Sequence, residues 1–343
     1  MCSRLPKWGS SARTGRSAGG LEGLQRLWYR PQLTMNSSAA TSKPRLLVIG
    51  NFDGVHLGHR AVLDRALRES LPQGLTPTVL TFDPHPAIVL GHEAPTALTL
   101  HADKVRLLRD LDPALEVVTW PFTRELAAYS PEQFAELVLA QALSARVVVV
   151  GQNFRFGRGR SGDLNVLGAL GEKLGFVARS EPLRGDGTGP YSSTRIRQAL
   201  DEGDVGGAAA LLGRAHFASG IVERGDGRGQ TLGFPTANLG QVGVAVPADG
   251  VYAGLADWGQ GAKPCVMNIG ARPTFTTVRA LEVHVLDCAP DLYGVRLTVH
   301  FHARLREVRR FGSIDELVRQ IREDVQHARS LPLPGSPFPG AQP

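Results

Sequence analysis

From Arg45 onward, β-branched and aliphatic runs alternate with stretches whose apolar positions recur every three or four residues. The runs are "RLLVIG" (45–50), "TPTVLTF" (76–82), "LEVVTW" (115–120), "ARVVVVG" (145–151) and "FVARSEP" (176–182). After them come helix-like 58–69, "ADKVRLLRDL" (102–111), "PEQFAELVLAQAL" (131–143, opened by Pro131), "DLNVLGALGEKLG" (163–175) and "SSTRIRQALDEG" (192–203). Strand and helix in alternation predict parallel strands joined by crossover helices, a doubly wound α/β sheet. Beyond "ALLGRAH" the pattern turns to short alternating strands punctuated by glycine and proline: "FASGIVER", "GVYAGLADW", "PCVMNIG", "ALEVHVLD" and "RLTVHFHARLR". These predict a small antiparallel barrel or sandwich. An amphipathic helix over 313–330 follows, with Ile314, Leu317, Val318, Ile321 and Val325 on one face. The fold class is therefore α/β plus all-β, and the length of 343 residues accommodates two domains.

Composition changes this picture little. An apolar fraction of 42% with 20% charge reads as a soluble globular chain. No apolar run approaches the ~20 residues of a membrane-spanning helix. The net charge of +6 is misleading until it is located. Residues 1–44 hold Arg4, Lys7, Arg13, Arg16, Arg26, Arg30 and Lys43 against one acid, Glu22, so the leader accounts for the whole excess. The rest of the chain is formally neutral and offers no basic face for nucleic acid. The Ser/Arg/Gly-rich leader has the composition of an organelle transit peptide and equally that of a disordered extension or an early start codon, with Met35 as an alternative start. We take the second reading. Cys2, Cys265 and Cys288 lie far apart with no C-x-x-C spacing, which suggests neither disulfide framework nor zinc site and fits the reducing cytoplasm. The tail "LPLPGSPFPGAQP" (331–343) reads as disordered.

The chemistry concentrates after the strands. In doubly wound sheets ligands bind outside the carboxyl ends of the strands. "NFDGVHLGH" follows the first strand, "DPHP" (83–86) the second, "GQNFRFGRGRSGD" (151–163) the fourth and "YSSTRIR" (191–197) the fifth, so all should converge on one edge. A helix N-terminus there presents free N–H groups and partial positive charge to a phosphate. His56 and His59 can both sit over the first turn, and imidazole donates a hydrogen bond whether neutral or protonated. Gly58 leaves room for a phosphate to approach the backbone. Ser193 and Thr194 fall at a helix start, and Arg197 one turn later can clamp a phosphate. In the second unit, "GDGRGQTLGFPTANL" (225–239) carries Gly225, Gly227, Gly229 and Gly233, a loop able to lie over phosphates but without the G-K-[ST] ending of a P-loop.

The set "GNFDGVHLGH", "TFDPHP", "GQNFRFG" and "YSSTRIR" resembles the adenylyltransferase half of bacterial bifunctional riboflavin kinase/FAD synthetases, within the nucleotidyltransferase superfamily. The set "GFPTAN", "NIGARPTF", "LEVHVLD" and "DLYG" resembles the riboflavin kinase module, a small β-barrel. The resemblance implies that His56 and His59 bind ATP phosphates and stabilise the transition state, with Ser193, Thr194 and Arg197 holding the triphosphate from the other side. It places Asn153 near nucleotide or flavin, where many relatives carry Asp. Asp83 and His85 become flavin-side or ATP-side residues, and Asn51, Asp53 and Gly58 line the nucleotide. In the kinase half it implies Thr236 as a Mg²⁺ ligand, Asn238 supporting metal or phosphates, Gly225 and Gly233 over the phosphates, and Glu282 as general base. Gln230 stands where relatives usually carry Arg or Lys, "TFTTVRA" is a short loop, and Cys288 replaces an aromatic.

The implied organisation is a basic leader over 1–44, an FMN adenylyltransferase domain over 45–213, a riboflavin kinase domain over 214–330 and a tail over 331–343. The implied activity is ATP-dependent phosphorylation of riboflavin to FMN, then adenylation of FMN to FAD with release of pyrophosphate. Expected partners are ATP, riboflavin, FMN and Mg²⁺, with neither nucleic acid nor membrane, in the cytoplasm. A class I aminoacyl-tRNA synthetase would share the H-x-G-H logic, but no K-M-S-K-S-like segment appears.

Overall fold

The computed structural model describes residues 43–182, 184–225, 227–240, 242–271 and 279–332. Nearly all of the expected leader and tail, most of the "TFTTVRA" loop and the end of "NIGARPTF" lie outside the described residues.

The first half runs β1 (Arg45–Ile49), α1 (Leu57–Ser70), β2 (Thr76–Asp83), a single turn α2 (Pro86–Val89), α3 (His101–Arg109), β3 (Glu116–Pro121) and a short α4 (Arg124–Ala127). It continues with α5 (Pro131–Gln133), a π-helical stretch over Phe134–Ala142, β4 (Ala145–Gly151), α6 (Leu164–Leu174), β5 (Val177–Glu181), α7 (Ser193–Asp201) and α8 (Val205–Leu212). The five strands pair in parallel in the order β3-β2-β1-β4-β5. The chain thus winds outward from β1 to β3, then returns past β1 to build β4 and β5. The reversal falls between β1 and β4, where open sheets form their ligand crevice.

Alternation along β1 shows why helices cover both faces. Leu46 and Val48 pack with Leu63 of α1 and Leu107 and Leu108 of α3. Leu47 and Ile49 pack on the opposite face with Phe134, Val138, Leu139 and Leu167. The expected helix 131–143 forms with wider turns than an α-helix, Leu143 N–H donating to the Val138 carbonyl at 3.0 Å. Its buried residues, Phe134, Ala135, Val138, Leu139 and Leu143, recur every four to five positions, which suits the wider turn. Helix α8 was not expected, because Gly206 and Gly207 argue against a helix. It forms because Asp204 caps it through Gly207 N–H at 2.8 Å and because Val205, Ala208, Leu211 and Leu212 bury one face.

The second half holds β6 (His216–Glu223), a short α9 (Arg228–Thr231), β7 (Ala237–Leu239), β8 (Gly250–Asp257), β9 (Lys263–Ala271), β10 (Arg279–Val285), β11 (Arg296–Arg306) and α10 (Ile314–Ser330). Its strands close into a barrel in the order β10-β7-β6-β11-β8-β9. β7 is an addition to the expected set. The glycine-rich segment was expected as loop throughout, yet its end enters the barrel between β10 and β6. One residue of α10 departs from its expected apolar face: Ile314 is 66% exposed. The helix docks instead through its later turns, where Ile321, Val325 and Ala328 pack against Val251 and Val266.

Barrel closure depends on a close approach at Gly254. A Cβ built there lies 1.8 Å from the His300 carbonyl oxygen of β11, beside an irregularity in the β11–β8 register. Gly254→Ala should therefore destabilise the protein by about 3 kcal/mol or more, read as a lowered urea midpoint. A midpoint equal to that of the parent would show that the strands can move apart at no cost.

Candidate active sites

The loop after β1 is held under strain. Phe52 and Val55 adopt φ of 51° and 42°, both buried, on either side of Gly54. Such geometry persists only where surrounding contacts over-determine it. Asp53 supplies many of them: its Oδ1 accepts from Leu98 N at 2.9 Å and Thr99 N at 3.1 Å, and its Oδ2 pairs with the Arg197 guanidinium. Arg214 Nη2 donates to the Gly54 carbonyl at 2.8 Å.

This loop delivers His56 to the start of α1. His56 is the N-cap, its Nδ1 accepting from His59 N–H at 3.3 Å, so the neutral ring carries its proton on Nε2. The two imidazoles stack with centroids 3.6 Å apart and planes 17° from parallel. Burial, aided by the Arg214 charge, lowers the His56 pKa to about 4. Burial, then His56 and Lys104, lowers that of His59 well below the ordinary value. Both rings are accordingly neutral near pH 7. They act there as hydrogen-bonding groups rather than as fixed charges.

The turn before α7 closes against them. A Cβ on Gly58 would stand 3.1 Å from the His56 ring and 3.1 Å from Tyr191 Cβ, so "HLGH" and "YSSTRIR" meet at this glycine. The expected cap shifts by one residue: Ser192, not Ser193 or Thr194, accepts from Arg195 N–H at 3.3 Å. Ser193 Oγ instead donates to the Asp53 carbonyl at 2.9 Å, which ties this turn to the first loop. Thr194 is exposed. The Arg197 guanidinium is engaged by Asp53 and, through Nε, by the Thr96 carbonyl at 2.7 Å.

The second strand end contributes a neighbouring cluster. His85 caps α2 by accepting from Ala87 N–H at 3.2 Å, and the Asn51 carboxamide lies 3.1 Å from its Nε2. Asp83 faces His101 Nδ1 at 3.6 Å. Lys104, which sequence reasoning passed over, donates from Nζ to the Asn51 carbonyl at 3.1 Å and Thr81 Oγ1 at 3.2 Å. Its signal was available: Lys104 falls in the stripe of Leu107, Leu108 and Leu111, where an apolar residue belongs. Asn153 is exposed at the end of β4, with Phe154 and Phe156 stacked beside it at 5.5 Å.

The barrel carries a second constellation on its outer surface. Leu281, Val283 and Val285 of β10 fill the core, which turns Glu282 and His284 outward. Glu282 pairs directly with Asn238 of β7 on one side and Asn268 of β9 on the other. Residues opposite each other in antiparallel strands project to the same face. Asn268 was not anticipated, because only the strand register reveals it. "GFPTAN" lies over this face, with His284 Nδ1 2.8 Å from the Pro235 carbonyl and its ring edge-on to Phe234 at 5.6 Å. Asn238 packs tightly on Gly225, where a Cβ would stand 2.3 Å from its Nδ2. Thr236 Oγ1 stands 3.1 Å from where a Cβ on Gly229 would be, so that glycine keeps the hydroxyl approachable. Gly233, at φ +83°, makes the turn that precedes Phe234.

Residues 38–195 match the family described as FAD synthetase, and residues 212–331 the family described as riboflavin kinase. The chain is 40% identical over 300 residues to the bifunctional riboflavin kinase/FMN adenylyltransferase of Escherichia coli strain K12, spanning 86% of this chain and 95% of the relative. It is 36% identical over 291 residues to the protein of the same name from Bacillus subtilis strain 168, spanning 82% and 91%. A crystal structure of a Streptococcus pneumoniae protein called a macrolide-efflux protein superposes with a TM-score of 0.76 at 29% identity, over 85% of this chain and 96% of that one. Among the described residues no helix is long and apolar enough to cross a membrane.

Proposed function

We propose a division of labour between two sites for this chain, which belongs to the family of bifunctional riboflavin kinase/FMN adenylyltransferases. The enzyme uses ATP twice, phosphorylating riboflavin to FMN and adenylating FMN to FAD. We assign the adenylation to residues 45–213 and the phosphorylation to residues 214–330.

The two reactions demand different residues. In adenylation an FMN phosphate oxygen attacks the α-phosphorus of ATP as the bond to pyrophosphate breaks. The nucleophile is already anionic, so no base is required; charge must be stabilised and the line of attack fixed. A pair of neutral imidazoles beside a helix N-terminus suits that task, with His56 Nε2–H as donor. The observation that carries the assignment is Gly58, packed between the His56 ring and Tyr191, which makes one rim of the imidazoles and the turn into α7. Arg197 would bind phosphate by exchanging its contacts to Asp53 and Thr96. Asp53 itself, filled by backbone N–H groups and that arginine, shapes the loop instead of touching nucleotide.

In phosphorylation the nucleophile is the terminal ribityl hydroxyl, and an alcohol attacks poorly until its proton has somewhere to go. Glu282 is the acceptor we assign, with Asn238 and Asn268 flanking it across the strands. The ribityl oxygen then bonds to the γ-phosphorus of ATP and ADP departs. The oxygens of Thr236 and Asn238 are hard donors of the kind Mg²⁺ prefers, and Gly229 leaves Thr236 approachable. Among the described residues no group of three or more His, Cys, Asp or Glu could hold a metal, so Mg²⁺ would rest on one or two of these oxygens and on substrate phosphates. When bound, it offsets triphosphate charge. Incubation with riboflavin, ATP and Mg²⁺, resolved by chromatography, should show FMN rising first and FAD following. FAD without free FMN, or neither product, would refute two separable sites.

A further inference from the structure

Lys104 sits 9% exposed in the apolar stripe of α3. Burying an ammonium is unfavourable unless its hydrogens are well bonded. Its Nζ meets the Asn51 carbonyl just past β1 and the Thr81 hydroxyl in β2, so it ties together the carboxyl ends of two adjacent strands. Asp53 and Asp83 attract it from a distance: Asp53 is itself paired with Arg197 and accepts from backbone N–H groups, while Asp83 stands 3.6 Å from the uncharged His101 ring. Its direct partners are thus a carbonyl and a hydroxyl, with no carboxylate among the described residues in contact, and its charge acts on His59 of the imidazole pair. Its field reaches His59 from α1; at His85, where Arg197 adds to it, Asp53 opposes it more strongly, and at His101 Asp83 does the same.

We propose that Lys104 is a positioning residue for adenylyl transfer, a buried cation that fixes the β1 and β2 ends under the imidazoles and holds positive potential below the reacting phosphates. This rests on the reading that His56 and His59 face the triphosphate. A lysine serving packing alone would be replaceable by a neutral side chain of similar length. One serving the chemistry would not.

The test uses the full chain with Lys104→Met, Lys104→Gln and Lys104→Arg, each checked by thermal melt, and measures both reactions across pH. For Met and Gln, kcat for FMN adenylation should fall about 10²-fold, while riboflavin phosphorylation stays within about twofold. Removing a cation raises the pKa of neighbouring imidazoles, and activity carried by neutral rings is lost as pH falls through that value. The acid limb of the adenylation profile should therefore move to higher pH in Met and Gln and stay in place in Arg. A folded Met or Gln variant with parental kcat, or with the rate lowered and the acid limb unmoved, overturns the proposal. Should neither fold, Thr81→Val decides: loss of one anchor should lower adenylation roughly tenfold, and an unchanged rate overturns the proposal. His56→Ala with undiminished FAD formation would instead refute the underlying site, whatever Lys104 does.

Discussion

Glu282→Gln should lower the rate of riboflavin phosphorylation by about 10²–10⁴-fold, the usual contribution of a general base. The carboxamide keeps the size and hydrogen-bonding reach of the carboxylate, so β10 stays paired with β7 and β9 and the Asn238–Glu282–Asn268 row is preserved in shape. What disappears is the proton acceptor. Started from FMN instead of riboflavin, the same variant should make FAD at the parental rate, because attack by a phosphate needs no base. Chromatography of both reactions on one preparation gives the comparison. Equal loss of both activities in a folded variant would mean that Glu282 does not belong to a separate kinase site.

His56→Ala should produce the opposite split, with FMN adenylation down by about 10²–10³-fold and phosphorylation intact. Three roles are removed together: the Nε2–H donor, the stacked partner of His59, and the cap on α1. Cap loss alone costs about 1 kcal/mol. His56→Asn separates these roles, since asparagine is a strong cap but lacks the imidazole. It should melt like the parent and still lose adenylation. Normal FAD production in either variant would exclude His56 from the reaction.

Much of this architecture was readable because five β-branched or aliphatic runs, each followed by a stretch with apolar residues every three or four positions, succeed one another between Arg45 and Asp201. The sheet edge that gathers "NFDGVHLGH", "DPHP" and "YSSTRIR" follows from parallel strands alone. What stayed hidden was set by distance in sequence or by shortness. β7 has three residues, too few to show alternation. The pairing of Glu282 with Asn268 depends on a strand register that no local pattern encodes. The α7 cap went to Ser192 because Ser193 is drawn to the Asp53 carbonyl, 140 positions earlier. The engagement of Arg197 by Asp53 has the same origin: a side chain free to clamp phosphate in the sequence finds a carboxylate once the loops converge. Likewise the exposure of Ile314 reflects where the barrel ends, not a flaw in the helical periodicity.

The barrel and the sheet are joined by main-chain bonds, Ala245 N–H to the Ala97 carbonyl and Ala248 N–H to the Leu200 carbonyl, both at 2.8 Å, and by Arg296 reaching Asp103 at 3.4 Å. A hinge swing of one half against the other would tear these open and leave backbone groups unmet. Closing either proposed site by moving the opposite half would therefore have to break these bonds first.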